Sequence, residues 1–233
     1  MFGMSPVMAT ATSLFTIIPT SLSGAVSHVR GKTCVVSLGV AMGLGGALTS
    51  PVGVWLGTIS PDWAIMLAAS LVIGYSAFNM IAKGLRSALQ AAATGKVAAD
   101  EPPTRPQLSR RQLWLGFFIG LAAGLVSGYV GVGGGFIMVP LMLSVLGLPM
   151  RYASGTSLIA VILLALPGVV EQALWGNIDY LAGIAIAAGS IPGALLGARL
   201  VKKVPERALR LLFGGFLFVA AAVLVLNEFG ILG

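Results

Sequence analysis

Charged side chains are scarce in this chain. Only 9% of its 233 residues are Asp, Glu, Lys or Arg, whereas a typical soluble domain contains about 25%. Hydrophobic residues make up 57% of the sequence, and the mean hydropathy is +0.98. A soluble fold needs a polar surface that so few charged residues cannot supply. The composition therefore predicts an integral membrane protein.

Cysteine and histidine occur once each, as Cys34 and His28. One cysteine excludes an intrachain disulfide, and one histidine excludes the His-Glu-x-x-His zinc motif. The apolar segments also lack paired carboxylates, so we expect no catalytic residue, no metal site and no cofactor, and the sequence argues against an enzyme. His28 stands beside Arg30 at the end of an apolar segment, which favours a solvated interfacial residue over a proton relay.

Basic residues produce the net charge of +7, and they lie between the apolar segments. Positive charge in this arrangement marks the cytoplasmic loops of membrane proteins, whereas nucleic-acid binding has no support beyond the net charge itself. Residues 1–27 contain no Lys or Arg, so the start of the chain lacks the charged region of a secretory signal peptide.

Eight apolar segments follow one another along the chain. A membrane-spanning helix needs about 20 largely apolar residues, so the sequence predicts an all-α, polytopic transmembrane protein with about 7–8 membrane segments. The expected segments are Val7–Ser27, Val35–Thr58, Trp63–Ala82, Leu113–Val130, the short Gly131–Gly147, Tyr152–Leu174, Ile178–Leu200 and Ala208–Leu226.

The two halves of the chain match at an offset of 144 residues. This offset places Thr12-Ser13-Leu14 on Thr156-Ser157-Leu158, and it aligns several glycines and a Pro-acid turn. A one-residue shift is expected around Gly31 and Gly176. A fixed period of this kind indicates an internal duplication. The chain then divides into a first repeat (1–82), a basic linker (83–112) and a second repeat (113–233).

The second repeat has about five membrane segments and the first only three. Residues 113–146 have no counterpart in the first repeat, because their partner would precede Met1. We therefore expect the first repeat to lack its opening two segments. Either the sequence is truncated at its start, or a reduced transporter compensates by oligomerising.

The placement of charge predicts how the chain crosses the membrane. If the basic linker 83–112 is cytoplasmic, counting the membrane segments from it assigns every other loop to one side of the membrane. All fourteen Lys and Arg residues then lie on the cytoplasmic side, and four of the seven acidic residues lie outside. Equivalent loops of the two repeats fall on opposite sides, so we expect inverted topology. Inverted repeats are typical of secondary transporters, whose sites lie near the midplane.

Glycines cluster at the start of the short fifth segment, as Gly131, Gly133, Gly134 and Gly135. Glycine costs about 1 kcal/mol relative to alanine in a helix interior, so helix stability does not explain the cluster. If a helix starts near Phe136, its N-terminus presents backbone N–H donors and a partial positive charge, which suit an anion. Close packing between helices is the alternative. Irregular backbone at membrane depth must be buried or line a cavity, which favours a binding site.

Hydroxyl pairs occupy equivalent positions in the two repeats. Thr156 with Ser157, and Thr12 with Ser13, lie early in their segments and could donate to the oxygens of an anion. They could equally bond the carbonyl group one turn back. The central spans contain no Asp, Glu, Lys or Arg, so an anion would be carried by neutral donors and helix dipoles.

Several motifs follow one another in order through the second repeat, and the first repeat adds Ala11-Thr-Ser-Leu14 and His28-Val-Arg-Gly31. Those of the second repeat are Gly-x-Gly-Gly-Gly-Phe-x-x-Val-Pro (131–140), Ala-Ser-Gly-Thr-Ser-Leu (153–158), Gly-Asn-Ile-Asp (176–179), Gly-Ala-Leu-Leu-Gly-Ala-Arg (193–199) and Val-Pro-Glu-Arg (204–207). Together they resemble the TauE/SafE family, the sulfite exporter family of bacterial membrane proteins. Members of that family carry a Gly-rich segment in each repeat, and only the second repeat has one here.

The resemblance implies a multi-pass transporter in the bacterial inner (cytoplasmic) membrane that exports sulfite, sulfoacetate or a related sulfur-containing anion. Its partners would be the small anion and the lipid bilayer, with no nucleic acid, and a homo-oligomer is left open. An anion channel, and a non-transporting membrane scaffold or inactive fragment, are the alternative functions.

Overall fold

A computed structural model describes residues 6–94, 108–130, 134–201 and 204–228. These residues form eight α-helices, which confirms the predicted all-α fold. Five of the described helices, α2, α3, α4, α6 and α7, are long and apolar enough to cross a membrane. The helices are α1 (Pro6–Arg30), α2 (Val36–Ile59), α3 (Asp62–Thr94), α4 (Arg110–Val130), α5 (Gly135–Val145), α6 (Met150–Leu174), α7 (Tyr180–Leu200) and α8 (Glu206–Glu228).

Helix α3 extends beyond the predicted segment Trp63–Ala82 and ends at Thr94, so the first part of the predicted linker is helical. Its 33 residues span about 50 Å at 1.5 Å per residue, well over the ~30 Å hydrocarbon thickness. The segment after Ala82 is rich in Ala, Leu, Lys and Arg, which favour helices. The helix therefore does not stop where the apolar run stops.

Helix α5 is much shorter than the other helices. Its 11 residues span about 16 Å, which is half of the hydrocarbon core. It begins beside the middle of α6. A Cβ atom added to Gly134 would lie 2.8 Å from Leu164 Cδ1, and one added to Gly135 would lie 3.5 Å from Val161 Cγ2. The fifth segment is therefore a half-length helix that runs from mid-depth to the end of the bundle where α6 begins.

Helices α1 and α6 cross in opposite directions at the centre of the bundle. A Cβ on Gly24 would lie 2.9 Å from Leu158 Cδ1, and a Cβ on Gly168 would lie 2.8 Å from Leu14 Cδ2. The offset of 144 converts one contact into the other, and we call residues related by it repeat partners. A contact that recurs with the repeats exchanged is the mark of a two-fold axis in the membrane plane. The predicted inverted topology is confirmed.

The turns that follow α1 and α6 are built alike. Lys32 and its repeat partner Gly176 both have positive φ, at 55° and 69°. Thr33 and its repeat partner Asn177 each donate their N–H to the carbonyl oxygen five residues back, at 3.0 Å. The offset of 144 therefore continues through the turn without interruption, and the one-residue shift predicted around Gly31 and Gly176 is wrong. The sequence comparison paired two glycines, whereas the backbone pairs Gly176 with a lysine.

Replacing Lys32 by glycine is expected to stabilise the protein by about 0.5–1 kcal/mol. The left-handed conformation costs an L-residue about 1–2 kcal/mol, and the greater entropy of glycine in the unfolded chain offsets part of that gain. Unfolding by denaturant in detergent micelles measures the change, and Lys32→Ala controls for loss of the side chain. The expectation fails if Lys32→Gly is no more stable than Lys32→Ala.

Helices α2 and α4 pack with their backbones in contact. A Cβ on Gly120 would overlap the carbonyl oxygen of Met42, and a Cβ on Gly53 would overlap that of Leu125. Because the contacts advance together along both helices, α2 and α4 run parallel. Small residues permit this close approach in membranes. The glycines of α4 that face α2 are Gly116, Gly120, Gly124 and Gly128.

His28 lies inside the bundle and is only 2% exposed. Its Nδ1 is 2.8 Å from Thr33 Oγ1, and a Cβ on Gly155 of α6 would lie 2.6 Å from the same nitrogen. The prediction of a solvated interfacial histidine is therefore wrong, because α6 crosses over the turn and covers the ring. The repeat partners of His28 and Thr33 form the same link, an amide hydrogen bond of 2.8 Å between Asn177 and Gln172.

Candidate functional site

Helix α5 starts with two glycines and has no side-chain cap. Gly134 is the N-cap residue and Gly135 is the first helical residue. The first N–H groups of a helix have no intrahelical acceptors, and with the helix dipole they attract anions. A Cβ on Gly135 would meet one side-chain atom within 4 Å, Val161 Cγ2, so there is space beside Gly135, whereas a Cβ on Gly134 would lie 2.8 Å from Leu164 Cδ1. The other predicted glycines, Gly131 and Gly133, lie outside the described residues.

A cavity of about 10 Å³ lies beside the first turn of α5. Phe136 and Ile137 of α5 line it together with Ser127 of α4 and apolar residues of α3. This volume holds about one water molecule and is too small for an oxyanion. This cavity is therefore not itself an anion site in the described conformation.

Thr12 and Thr156 link the two repeats through equivalent hydrogen bonds. Thr156 Oγ1 accepts from the N–H of Val35, and Thr12 Oγ1 accepts from the N–H of Asp179, each at 3.0 Å. Val35 and Asp179 are repeat partners and are the N-cap residues of α2 and α7. Each threonine is buried and serves the start of a helix in the other repeat. The bond they make is structural, and anion binding by these hydroxyls stays a prediction.

The two serines of the predicted pairs lie in different environments. Ser157 is buried and donates to the carbonyl oxygen of Ser154 at 2.9 Å, whereas Ser13 is exposed. Thr156 also lies apart from the described glycines at the start of α5. Eight residues of α6, about 12 Å, separate Thr156 from Leu164, the neighbour of Gly134. Among the described residues, Thr156 and Gly134 are therefore not gathered at one point.

Thr156→Val and Thr12→Val are each expected to lower the free energy of unfolding by about 1–3 kcal/mol. Valine keeps the shape of threonine but leaves a buried backbone N–H without its acceptor, which carries a penalty of this size. Unfolding in detergent measures both variants. Thr156→Ser, which keeps the hydroxyl, should recover most of the loss. Equal losses in Thr156→Val and Thr156→Ser would show that the methyl group matters and the hydrogen bond does not.

A second hydroxyl pair joins α1 to α7, and sequence reasoning did not select it. Thr20 Oγ1 lies 2.6 Å from Ser190 Oγ, while Thr20 also donates to the carbonyl oxygen of Thr16 at 2.8 Å. Their repeat partners, Leu164 and Gly46, make an apolar contact instead. One side of the two-fold axis is therefore polar where the other is apolar. The sequence feature that could have indicated this pair is the spacing of Thr12, Thr16 and Thr20 every four residues along α1.

The buried polar groups of the described residues carry no carboxylate, ammonium or guanidinium. Apart from His28 they are nine hydroxyls: Thr12, Thr16, Ser21, Thr33, Ser50, Ser76, Ser127, Thr156 and Ser157. In the same part of the chain no three His, Cys, Asp or Glu residues are close enough to hold a metal ion. A groove of about 770 Å³ between α3 and α8 has an apolar lining, so it does not suit an anion.

Proteins similar to this chain are named as membrane transporters. The family described as "Sulfite exporter TauE/SafE" matches residues 1–224. "Probable membrane transporter protein YunE" of Bacillus subtilis (strain 168) is 24% identical over 207 residues, which cover 88% of this chain and 76% of that protein. "Probable membrane transporter protein YdhB" of the same organism is 29% identical over 203 residues, 87% of this chain and 78% of that protein. No solved structure matches.

Proposed function

The chain belongs to the TauE/SafE sulfite exporter family, whose members similar to it are named membrane transporters, and we propose that it exports a small sulfur-containing oxyanion or organosulfonate, such as sulfite or sulfoacetate, across the bacterial cytoplasmic membrane. Helix α5 is the observation that carries this proposal. Its uncapped glycine N-terminus begins at mid-depth, where transporters built from inverted repeats bind their substrates at broken helices.

Neutral donors suit an anion that must both bind and leave. The backbone N–H groups at the start of α5 attract negative charge without a fixed countercharge. The cavity beside α5 is too small for an oxyanion, so the proposal includes a second conformation in which the start of α5 is open. Exchanging the conformations of two inverted repeats moves the opening from one side of the membrane to the other. The crossing of α1 and α6 is the contact about which this exchange would occur.

Purified protein in liposomes loaded with sulfite tests the proposal. We expect efflux above that of protein-free liposomes, saturation with internal sulfite, and counterflow of ³⁵S-labelled sulfite. Sulfoacetate and chloride, tested as competitors, define the substrate class, and we expect only sulfoacetate to compete. Flux that neither saturates nor shows counterflow would indicate a channel and contradict the exporter. Absence of any flux would contradict transport of this anion.

The proposed orientation places the linker 83–112 in the cytoplasm. Arg111 is exposed next to the start of α4, and Trp175, 63% exposed, lies in the turn that is predicted to be outside. In a Cys34→Ser background, a membrane-impermeant maleimide should label Trp175→Cys in intact cells and Arg111→Cys only in inside-out vesicles. The opposite pattern would reverse the orientation.

A further inference from the structure

Among the buried residues that the structure describes, His28 is the one whose side chain changes charge near neutral pH. Its ring lies between helix α6 and the turn that joins α1 to α2. Nδ1 is 2.8 Å from Thr33 Oγ1, and a Cβ on Gly155 of α6 would lie 2.6 Å from the same nitrogen. Histidine ordinarily changes its charge between about pH 5 and 8. A change of pH in this range therefore acts on a contact inside the bundle.

The hydrogen bonds around His28 join the start of α2 to α6. Thr33, which bonds to the ring, also donates to the carbonyl oxygen of His28 at 3.3 Å. Val35 lies two residues further on and is the N-cap residue of α2. Its N–H is bonded to Thr156 Oγ1 at 3.0 Å, and Thr156 follows Gly155 in α6. The ring and the start of α2 therefore rest on adjacent residues of one helix.

The equivalent link in the other repeat cannot change its charge. The repeat partners of His28 and Thr33 are Gln172 and Asn177, whose side-chain amides share a hydrogen bond of 2.8 Å. The two turns also share the backbone hydrogen bond across five residues, at 3.0 Å in both. The same two positions thus close both turns, but one link contains a titratable ring and the other contains two amides. The two ends of the bundle therefore differ in their response to pH.

The charged side chains near His28 disfavour a positive charge on its ring. Helix α2 contains no charged residue. Glu206 of α8 reaches the start of α6, but its carboxylate is ion-paired with Arg210. The charged residues that α1, its turn, α6 and α7 place at this end are all cationic, namely Arg30, Lys32, Arg151 and Arg199. Burial and like charges both oppose the protonated form of a histidine, so the contact with α6 favours the neutral ring.

We propose that His28 is a pH-sensitive lock on the start of α2. The neutral ring bonds to Thr33 and packs on Gly155, which holds the turn between α1 and α2 against α6. Protonation adds a positive charge to this buried, cationic region, so the ring moves out toward water and releases the turn. This end of the bundle opens as the pH falls, whereas the turn closed by Gln172 and Asn177 stays closed.

The charge of His28 can be measured directly, because the chain contains one histidine. In tag-free protein with ¹⁵N-labelled histidine in lipid nanodiscs, we expect the NMR signals of the ring to titrate in one step between about pH 5 and 8. Cys34 reports the opening of the turn, because it follows Thr33 and its thiol is partly buried. The rate at which Cys34 reacts with dithiodipyridine should change with the same midpoint as the NMR signals.

The double variant His28→Gln, Thr33→Asn is the matched control, because it copies the uncharged link of the other turn. It keeps Cys34, so the ratio of the wild-type rate to its rate at each pH removes the pH dependence of the thiol reaction itself. We expect this ratio to rise at least fivefold from about pH 7.5 to about pH 5.5, a range across which histidine ordinarily gains its proton. Circular dichroism checks that the variant keeps its helices.

Thr33→Val gives a second, independent readout. Valine keeps the shape of threonine and removes the bond to the ring, so Cys34 should react at least fivefold faster than in the wild type already at about pH 7.5, where histidine is ordinarily neutral. A ring that stays neutral down to about pH 5, or a rate ratio that does not change with pH, overturns the proposal. So does a Thr33→Val protein whose Cys34 reacts at the wild-type rate.

Discussion

Gly120→Ala is expected to separate α2 from α4 and to lower the free energy of unfolding by about 3 kcal/mol or more. The added Cβ would overlap backbone atoms of Met42, including its carbonyl oxygen. Backbone cannot change rotamer to make room, so the cost lies at or above the upper end of the usual range for overpacking, about 1–3 kcal/mol. Denaturant unfolding in micelles, together with the monodisperse fraction in gel filtration, measures the loss.

Gly215→Ala is the control for this prediction. Gly215 lies inside α8 with no heavy atom within 4 Å of its Cβ position. Alanine should be neutral or should stabilise the protein by up to about 1 kcal/mol through helix propensity. If Gly120→Ala were as stable as Gly215→Ala, the close backbone contact between α2 and α4 would be refuted.

Gly135→Asp is expected to reduce anion efflux at least tenfold relative to Gly135→Asn. The carboxylate would occupy the N–H donors at the start of α5 that are proposed to bind the substrate, and it would repel an incoming anion. A tenfold change corresponds to about 1.4 kcal/mol. Asparagine has nearly the same size without the charge. A negative side chain at a helix N-terminus is itself favourable, so the helix should remain folded.

Initial efflux rates from proteoliposomes with equal amounts of incorporated protein measure this difference. The Cβ of either variant starts 3.5 Å from Val161 Cγ2, an ordinary contact, so both side chains begin from the same steric position. Circular dichroism checks that both variants keep their helices. Equal rates for the two variants would mean that no anion passes the start of α5.

The helices and their order follow from the sequence with small errors. Helix α2 was expected at Val35–Thr58 and lies at Val36–Ile59, because backbone polar groups in lipid must be satisfied within a helix. The start of α5 was expected near Phe136 and lies at Gly135. The end of α3 at Thr94 was missed, because hydropathy locates the membrane boundary and does not locate the end of a helix.

The candidate site was predictable in part. A glycine cluster inside an apolar region indicated the broken helix, and α5 has the half length that this implies. The threonines were also selected correctly as equivalent positions, but their hydrogen bonds go to Val35 and Asp179, far away in sequence. Spacing along one helix cannot reveal which backbone N–H of another repeat will reach a hydroxyl.

The sequence alone determined that this is a polytopic membrane protein with inverted repeats, because hydropathy, loop charge and the 144-residue offset are all properties of the chain itself. The crossing of α1 and α6 decided the rest. It buries His28, which the sequence placed in water, and it brings each threonine to the opposite repeat. The packing of the described helices also covers Gly45 and Gly53 of α2 with α4, while no described helix lies on Gly189, Gly193 and Gly197 of α7. These outcomes depend on which helix faces which, and only packing in three dimensions sets that.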